Sequence, residues 1–142
     1  MKKNVTIGIS TICKHNPGAG SFGAVMSYKS FTKNIAGIDP ATTKKRIELT
    51  AVINSLQKLK EPCDVAIYIP STYIYYSVNN KWLDNWKKNG WKRSQNRELK
   101  NADLWVILSE LLQYHNVKFV CNKKQNKKSE SYKIAMKSYT AA

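Results

Sequence analysis

Alternating apolar and polar positions predict that the chain begins with strands. Residues 5–9 alternate apolar side chains with small or polar ones, as in a strand with one buried face. The next segment, 15–20, is rich in Asn, Pro and Gly and predicts a turn. Residues 21–29 and 31–37 predict two further strands, joined by a link short enough for a hairpin. We therefore expect three consecutive strands in a meander.

The period changes to that of a helix over residues 43–59. The Asp-Pro pair at 39–40 breaks the strand pattern, and Thr42 or Thr43 is suited to cap the helix. The apolar face of this helix is formed by Leu49, Val52, Ile53, Leu56 and Leu59. Glu48 is a lone acid at the edge of that face. Two interpretations of it stay open: a metal ligand, or a solvated residue favoured near a helix N-terminus.

Helix and strand alternate in the rest of the chain. Residues 65–69 form a mostly apolar run, typical of a central strand covered on both faces, and Pro70 ends it. The later elements are predicted as a short helix from Ser71, a helix from Asn101 or Asp103, a strand at 117–121 and a short helix near 132–139. This order predicts an α/β fold with a mixed five-stranded sheet flanked by helices, in a single domain over residues 1–142.

Positive charge is the strongest compositional signal. The chain carries 24 Lys and Arg residues against 9 Asp and Glu residues, a formal net charge of +15. Such an excess implies a polyanionic partner, most simply nucleic acid, although lysines can also serve only to keep a protein soluble. Many of these charges lie among tryptophans at 80–100. That clustering favours nucleic acid as the partner.

Cysteine usage and hydropathy indicate the compartment. Cys13, Cys63 and Cys121 are odd in number and match neither a disulfide framework nor a zinc pattern. No apolar run approaches the roughly 20 residues needed to cross a bilayer. The first residues have the pattern of a strand rather than of a signal peptide. We therefore expect an intracellular, cytoplasmic protein.

Four segments of the chain together resemble type 1 ribonuclease H. They are the turn Asn16–Gly20 with Gly23-Ala24 after it, the helix start Thr42–Leu49 with Arg46 and Glu48, the basic handle Trp82–Lys92, and the helix start Lys100–Trp105. The predicted order of strands and helices agrees with that family over nearly the whole chain. The resemblance implies a ribonuclease H-like fold with a basic handle.

The resemblance also implies a chemistry at one end of the sheet. The family cuts the RNA strand of RNA/DNA hybrids with two divalent metal ions held by four carboxylates. Its four acid positions correspond here to Ser10, Glu48, Pro70 and Tyr132. Only Glu48 is an acid. We therefore expect a catalytically inactive protein with no metal cofactor, in which Mg²⁺ matters only if residual activity exists.

Two other acids bear on that expectation. Glu130 is two residues from the last of the four positions, and Asp39 precedes the Glu48 helix. The sequence does not place either side chain at the site. Whether Glu130 or Asp39 rescues weak metal binding therefore stays open.

A basic surface for duplex nucleic acid remains, either RNA/DNA hybrid or double-stranded RNA. Lys44 and Lys45 stand where the family often has Asn, so groups that read base edges and 2′-hydroxyls are replaced by charges that hold phosphate. The predicted nucleic-acid-binding residues are Asn16, Thr43, Lys44, Lys45, Lys87, Lys88, Trp91, Lys92, Arg93, Lys123 and Lys124. Alternatively, Trp82 and Trp86 pack the handle helix onto the body and the lysines are only solvated.

Two other functions stay open at this point. The chain could be a protein-interaction or tether module that uses the ribonuclease H scaffold. It could also keep metal-dependent ribonuclease activity through Glu48. The salt dependence of binding distinguishes a nucleic-acid surface from the first, and a cleavage assay with Glu48→Gln decides the second.

Overall fold

The computed structural model describes residues 2–93, 97–122 and 125–141. The strands are β1 (Lys3–Ile12), β2 (Gly18–Tyr28), β3 (Phe31–Thr42), β4 (Cys63–Ile69) and β5 (Asn116–Cys121). The helices are α1 (Lys44–Gln57), α2 (Thr72–Asn79), α3 (Trp82–Lys88), α4 (Ala102–Tyr114) and α5 (Glu130–Ala141). The predicted elements therefore occur in the predicted order.

The five strands form one mixed sheet in the order β3-β2-β1-β4-β5. β2 pairs antiparallel with both β1 and β3, whereas β4 lies parallel to β1 and β5 lies parallel to β4. Parallel neighbours need a crossover connection, which α1 supplies before β4 and the next three helices supply before β5. The predicted α/β fold with a five-stranded mixed sheet is confirmed. The parallel strands end at one edge of the sheet, where Ser10 and Pro70 lie.

β3 is longer than the sequence pattern predicts, because it continues through the Asp-Pro pair at 39–40. This strand is at the edge of the sheet and pairs only with β2. The pairing register shifts between Gly18 and Gly20, which leaves an extra residue in β3 opposite them. An edge strand with such a bulge tolerates Pro40, since proline has no N–H to donate to a neighbouring strand.

α1 begins where the capping pattern predicts. The Thr43 hydroxyl accepts a hydrogen bond from the Arg46 backbone N–H at 3.2 Å. The Arg46 guanidinium donates to both carboxylate oxygens of Asp103, at 3.1 and 2.6 Å. Trp105, two residues further along α4, is fully buried. The starts of α1 and α4 are therefore held side by side.

α3 and the residues after it form the predicted basic handle. The ring of Trp86 lies edge-on to that of Trp105, with centroids 5.3 Å apart. Trp91 is half-buried and packs against the core. The lysines at 87–88 are exposed at the end of α3. The alternative interpretation, in which Trp82 and Trp86 pack onto the body, is thus confirmed for Trp86 but wrong for Trp82, which is 44% exposed.

α5 packs closely on β2 because small residues line the contact. A Cβ atom at Gly23 would clash with the Ser131 carbonyl and would lie 2.6 Å from the backbone nitrogen of Ala135. The Ser21 hydroxyl donates to the Ala135 carbonyl at 2.7 Å. α5 is therefore seated against the sheet beside the carboxyl end of β1.

Two further observations concern the cysteines and the apolar content of the helices. Cys13, Cys63 and Cys121 are all free thiols. Within the parts of the chain that the structure describes, no helix is both long and apolar enough to cross a membrane.

Candidate nucleic-acid interface and active site

A positively charged groove lies between the start of α1 and the handle. Its volume is about 590 Å³, and the described residues that line it include four cations and no acid. We call this surface the basic groove and define it by Asn16, Thr43, Lys44, Lys45, Arg93 and Lys100. Cations gathered in one concave surface create a positive potential, which attracts phosphate groups.

A hydrogen bond joins the turn after β1 to the start of α1 within this groove. The Asn16 side-chain oxygen accepts the Lys44 backbone N–H at 3.1 Å. Because that oxygen is engaged with the backbone, the amide nitrogen is left on the other side as a donor. The turn therefore presents a neutral donor beside the lysines.

Lys45 is held over an aromatic ring. Its ammonium lies 4.7 Å from the centroid of the Tyr73 ring, a cation–π contact. The indole N–H of Trp105 donates to the Tyr73 hydroxyl at 2.8 Å, which fixes the ring. Burial raises the pKa of Tyr73, so the hydroxyl stays neutral. The buried tryptophan thus fixes the ring on which Lys45 rests.

The structure brings part of the predicted binding set together. Five predicted residues line the basic groove, namely Asn16, Thr43, Lys44, Lys45 and Arg93. Trp91 and Lys92 line an adjoining cavity instead, and the lysines at 87–88 are exposed at the end of α3. The lysines at 123–124 lie outside the described residues. A role in binding stays a prediction for all of these residues.

Glu48 is buried on α1 rather than solvated. Only 5% of its surface is exposed, and this burial raises the pKa of its carboxyl group. The Ser71 hydroxyl, a hydrogen-bond partner, lowers the pKa, as do the charges of Lys44 and Lys45. Ser71 is two residues beyond the last residue of β4, so Glu48 lies beside the carboxyl end of that strand. The solvated interpretation of Glu48 is wrong.

A second cavity, of about 590 Å³, lies at the carboxyl ends of β1, β4 and β5. We call it the hydroxyl pocket and define it by Ser10, Asn122, Gln125, Asn126, Ser129 and Ser131. Ser10 and Ser131 are buried, and their hydroxyl oxygens are 2.7 Å apart. The Gln125 side-chain oxygen accepts the Thr11 backbone N–H at 2.6 Å.

Ser131 and Gln125 were not among the predicted site residues. The sequence placed the last acid position of the family at Tyr132, but the residue of α5 that contacts Ser10 is Ser131. Tyr132 is half-buried, and its backbone N–H donates to Ser129. The hydrophobic pattern could not show whether Ser131 or Tyr132 faces Ser10. It does not define the rotation of a short helix about its axis closely enough to separate two adjacent residues.

The two acids left open by the sequence do not complete a metal site. The Asp39 carboxylate accepts the Ala41 backbone N–H at 3.0 Å within β3. Glu130 is exposed at the first turn of α5 and does not line the hydroxyl pocket. Neither acid therefore joins Glu48 at the ends of β1 and β4.

The donor set at this end of the sheet does not fit two divalent ions. Such ions take oxygen ligands, and in two-metal sites carboxylates hold them. Ser10 and Pro70 occupy the ends of β1 and β4, and Glu48 is the acid beside them. Across residues 2–93, 97–122 and 125–141, no three His, Cys, Asp or Glu side chains converge. The described residues therefore do not provide the ligand set that the resemblance implies.

Comparison with known proteins identifies related chains. Residues 2–124 match the sequence profile of the family described as RNase H. The Ribonuclease H of Caldicellulosiruptor saccharolyticus is 45% identical over 117 residues, which are 82% of this chain and 81% of that protein.

Solved structures show the same fold at lower identity. LC9-RNase H1, a type 1 RNase H with the type 2 active-site motif, superposes with a TM-score of 0.81 at 20% identity, covering 100% of this chain and 72% of that one. LC11-RNase H1 in complex with RNA/DNA hybrid gives a TM-score of 0.67 at 14% identity, covering 96% and 97%. Both likenesses concern the fold.

These relatives correct two predictions. The expectation of a catalytically inactive protein is contradicted by 45% identity, over four-fifths of the chain, to a protein named Ribonuclease H. The expectation of no metal cofactor is contradicted on the same ground, because the reaction that the resemblance implies uses divalent ions. Both predictions were drawn from residue types at four positions, whereas the relative matches most of the chain.

Proposed function

Because this chain belongs to the ribonuclease H family, we propose that it binds RNA/DNA hybrids across the basic groove and hydrolyses their RNA strand. The observation that carries the binding half is the basic groove, with four cations and no acid among its described lining residues. The hydrolytic half is supported by the name and 45% identity of the relative.

The groove residues contribute different kinds of contact to binding. Lys44, Lys45 and Arg93 supply charges for phosphate groups, which give affinity without reading sequence. The Asn16 amide nitrogen is a donor suited to a base edge or a 2′-hydroxyl in a minor groove. The Arg46–Asp103 ion pair joins the starts of α1 and α4 beside these residues. This ion pair therefore holds the two helix starts beside the groove next to each other.

Hydrolysis in this family relies on divalent ions that activate water and stabilise the departing oxygen. Glu48 is the residue here that matches an acid position of the family, and it is buried beside Ser71. The hydrolytic half of the proposal therefore depends on Glu48.

Two further properties belong to the same proposal. Residues 1–142 act as one domain, supported by a single core cluster shared by the sheet and α1, α2 and α4. The protein is intracellular and cytoplasmic, supported by three free thiols, which suit a reducing compartment.

A combined binding and cleavage assay tests the proposed function. Labelled hybrid, double-stranded RNA, double-stranded DNA and single strands are offered with Mg²⁺ or Mn²⁺. We expect the hybrid to bind and its RNA strand to be cut. Glu48→Gln should abolish cleavage and leave hybrid affinity within about twofold, since Glu48 is buried and does not line the basic groove.

The matched control is Glu110→Gln, the same change at an exposed acid of α4. It should cleave like the unmodified protein. Hybrid binding without cleavage under either ion would overturn the hydrolytic half alone. Absence of hybrid binding would overturn both halves.

A further inference from the structure

The hydroxyl pocket presents hydrogen-bond donors where a cation site would present negative oxygens. Its described lining contains three serines and three side-chain amides but no carboxylate. Which of their atoms face the cavity follows from the bonds that these side chains already make.

The three serines form a chain of hydroxyl groups. The oxygens of Ser10 and Ser131 are 2.7 Å apart, and those of Ser131 and Ser129 are 3.3 Å apart. Three hydroxyl groups carry three hydrogens, and the two links between them use two. One hydroxyl hydrogen therefore remains, on whichever serine donates to neither of the other two. All three serines line the pocket, so a hydroxyl donor is available there.

Two amides present nitrogen in the same way. The Gln125 side-chain oxygen is engaged by the Thr11 backbone N–H at 2.6 Å. The Asn126 side-chain oxygen is engaged by the Lys128 backbone N–H at 2.9 Å. Because both side-chain oxygens accept hydrogen bonds from the backbone, the NH₂ groups are left to donate hydrogen bonds to a group in the pocket. Neutral donors of this kind suit an anion and are unfavourable for a divalent cation.

The hydroxyl pocket is connected to the basic groove through β1. Thr11 binds Gln125 of the pocket. Asn16, five residues further on, accepts the Lys44 backbone N–H at the basic groove. Five residues of chain span at most about 18 Å, so a duplex that contacts Lys44 passes close to the end of β1 that holds Gln125.

We propose that the hydroxyl pocket holds a phosphodiester oxygen of the bound hybrid directly, through the serine hydroxyl chain and the amide groups of Gln125 and Asn126. Hybrid binding at this end of the sheet then needs no divalent ion. This inference rests on the binding half of the proposed function, and it concerns affinity rather than hydrolysis.

Paired amide-to-acid changes test this inference. Gln125→Glu with Asn126→Asp keeps both oxygens that accept from the backbone, so the loop fold is preserved. The change removes both NH₂ donors and adds two negative charges. Hybrid affinity is measured by fluorescence anisotropy at constant ionic strength, in EDTA and in Mg²⁺. We expect the double variant to bind at least about tenfold more weakly in EDTA, with part of the loss recovered in Mg²⁺.

The matched control is Asn54→Asp with Gln57→Glu, the same chemical changes in a cavity at the far end of α1. It should bind within about twofold of the unmodified protein. Equal weakening by the two double variants would show a general charge effect and overturn the inference. Hybrid binding by the unmodified protein in Mg²⁺ but not in EDTA would overturn it and leave the proposed function standing. Absence of binding in both conditions would overturn the two together.

Discussion

At the scale of single residues, His115 is a buried titratable group whose pKa is shifted by its surroundings. It is 3% exposed, and its Nδ1 accepts the Cys63 backbone N–H at 3.1 Å. Burial lowers the pKa of His115 below its ordinary value of 6.5; the Leu56 backbone opposes this shift, and the charge of Lys2 adds to it. The imidazole therefore stays neutral in the folded protein near neutral pH.

The pH dependence of stability follows from that lowered pKa. The folded state binds a proton less readily than the unfolded state, so the contribution of His115 is complete above pH 6.5 and is lost as pH falls through that value toward the folded pKa. We expect the unfolding temperature to fall between about pH 7 and 5, and the fall to be smaller in His115→Gln. His15→Gln, in the exposed turn, should keep the full fall; an unchanged slope in His115→Gln would contradict this.

Single residues were predicted where local chemistry decides their role. The Thr43 cap that the helix-start pattern predicts is confirmed. The lysines after it line the basic groove, and their role in binding stays a prediction. Ser131 was missed because its partner Ser10 is 121 positions away, and a contact of that range leaves no local signal.

At the scale of elements, the contact of α5 with β2 depends on the absence of a side chain at Gly23. Gly23→Ala would push a methyl group into backbone atoms of α5, which cannot rotate away as a flexible side chain can. We expect a loss of at least about 1–3 kcal/mol in the free energy of unfolding, the usual cost of overpacking. Urea unfolding measures it.

Gly8→Ala is the matched control for this prediction. A Cβ atom at Gly8 of β1 meets nothing within 4 Å, and alanine also restricts the unfolded chain. This variant should be as stable as the unmodified protein or slightly more stable. Equal stability of the Gly23 and Gly8 variants would show that α5 shifts without cost.

Element type was easier to predict than element length. Period-two and helical patterns report which face is buried, and they identified each strand and most helices. They could not report that β3 lies at a sheet edge, and only that position lets the strand continue through Pro40. The end of β3 is therefore set by the position of this strand in the sheet, which the local sequence pattern does not report.

At the scale of the whole molecule, a net charge of +15 makes nucleic-acid affinity sensitive to salt. Binding through six to ten phosphates should weaken about 10³–10⁵-fold between roughly 50 and 200 mM salt. Lys44→Glu with Lys45→Glu should weaken hybrid binding and reduce the slope of log affinity against log salt by about 2, since two phosphate contacts are lost. Anisotropy titrations at several salt concentrations measure both effects.

Lys33→Glu with Lys58→Glu is the control for charge alone. These two exposed lysines line one cavity at the opposite end of α1, about 20 Å from Lys44 along the helix. The slope should change little in this variant. If both pairs change affinity equally, the overall field attracts the duplex and the basic groove has no special role.

The overall topology was predicted well because few arrangements satisfy the order of elements, and the family resemblance selects one of them. The prediction of inactivity was wrong because it rested on too few residues. It weighed Ser10 and Pro70 as isolated positions, whereas 45% identity to a Ribonuclease H extends over four-fifths of the chain. Activity depends on the whole surface that positions a substrate as well as on the residues at its centre.

The proline in β3 also bears on how copies of this protein meet. β3 is an open sheet edge and carries two exposed apolar side chains, Phe31 and Ile38. Unpaired edges of this kind are templates onto which another strand can add, the first step of fibril growth. Pro40 interrupts the row of donors, and the neighbouring bulge bends it. We therefore expect the irregularity that the strand prediction missed to disfavour the addition of another strand at that end of β3.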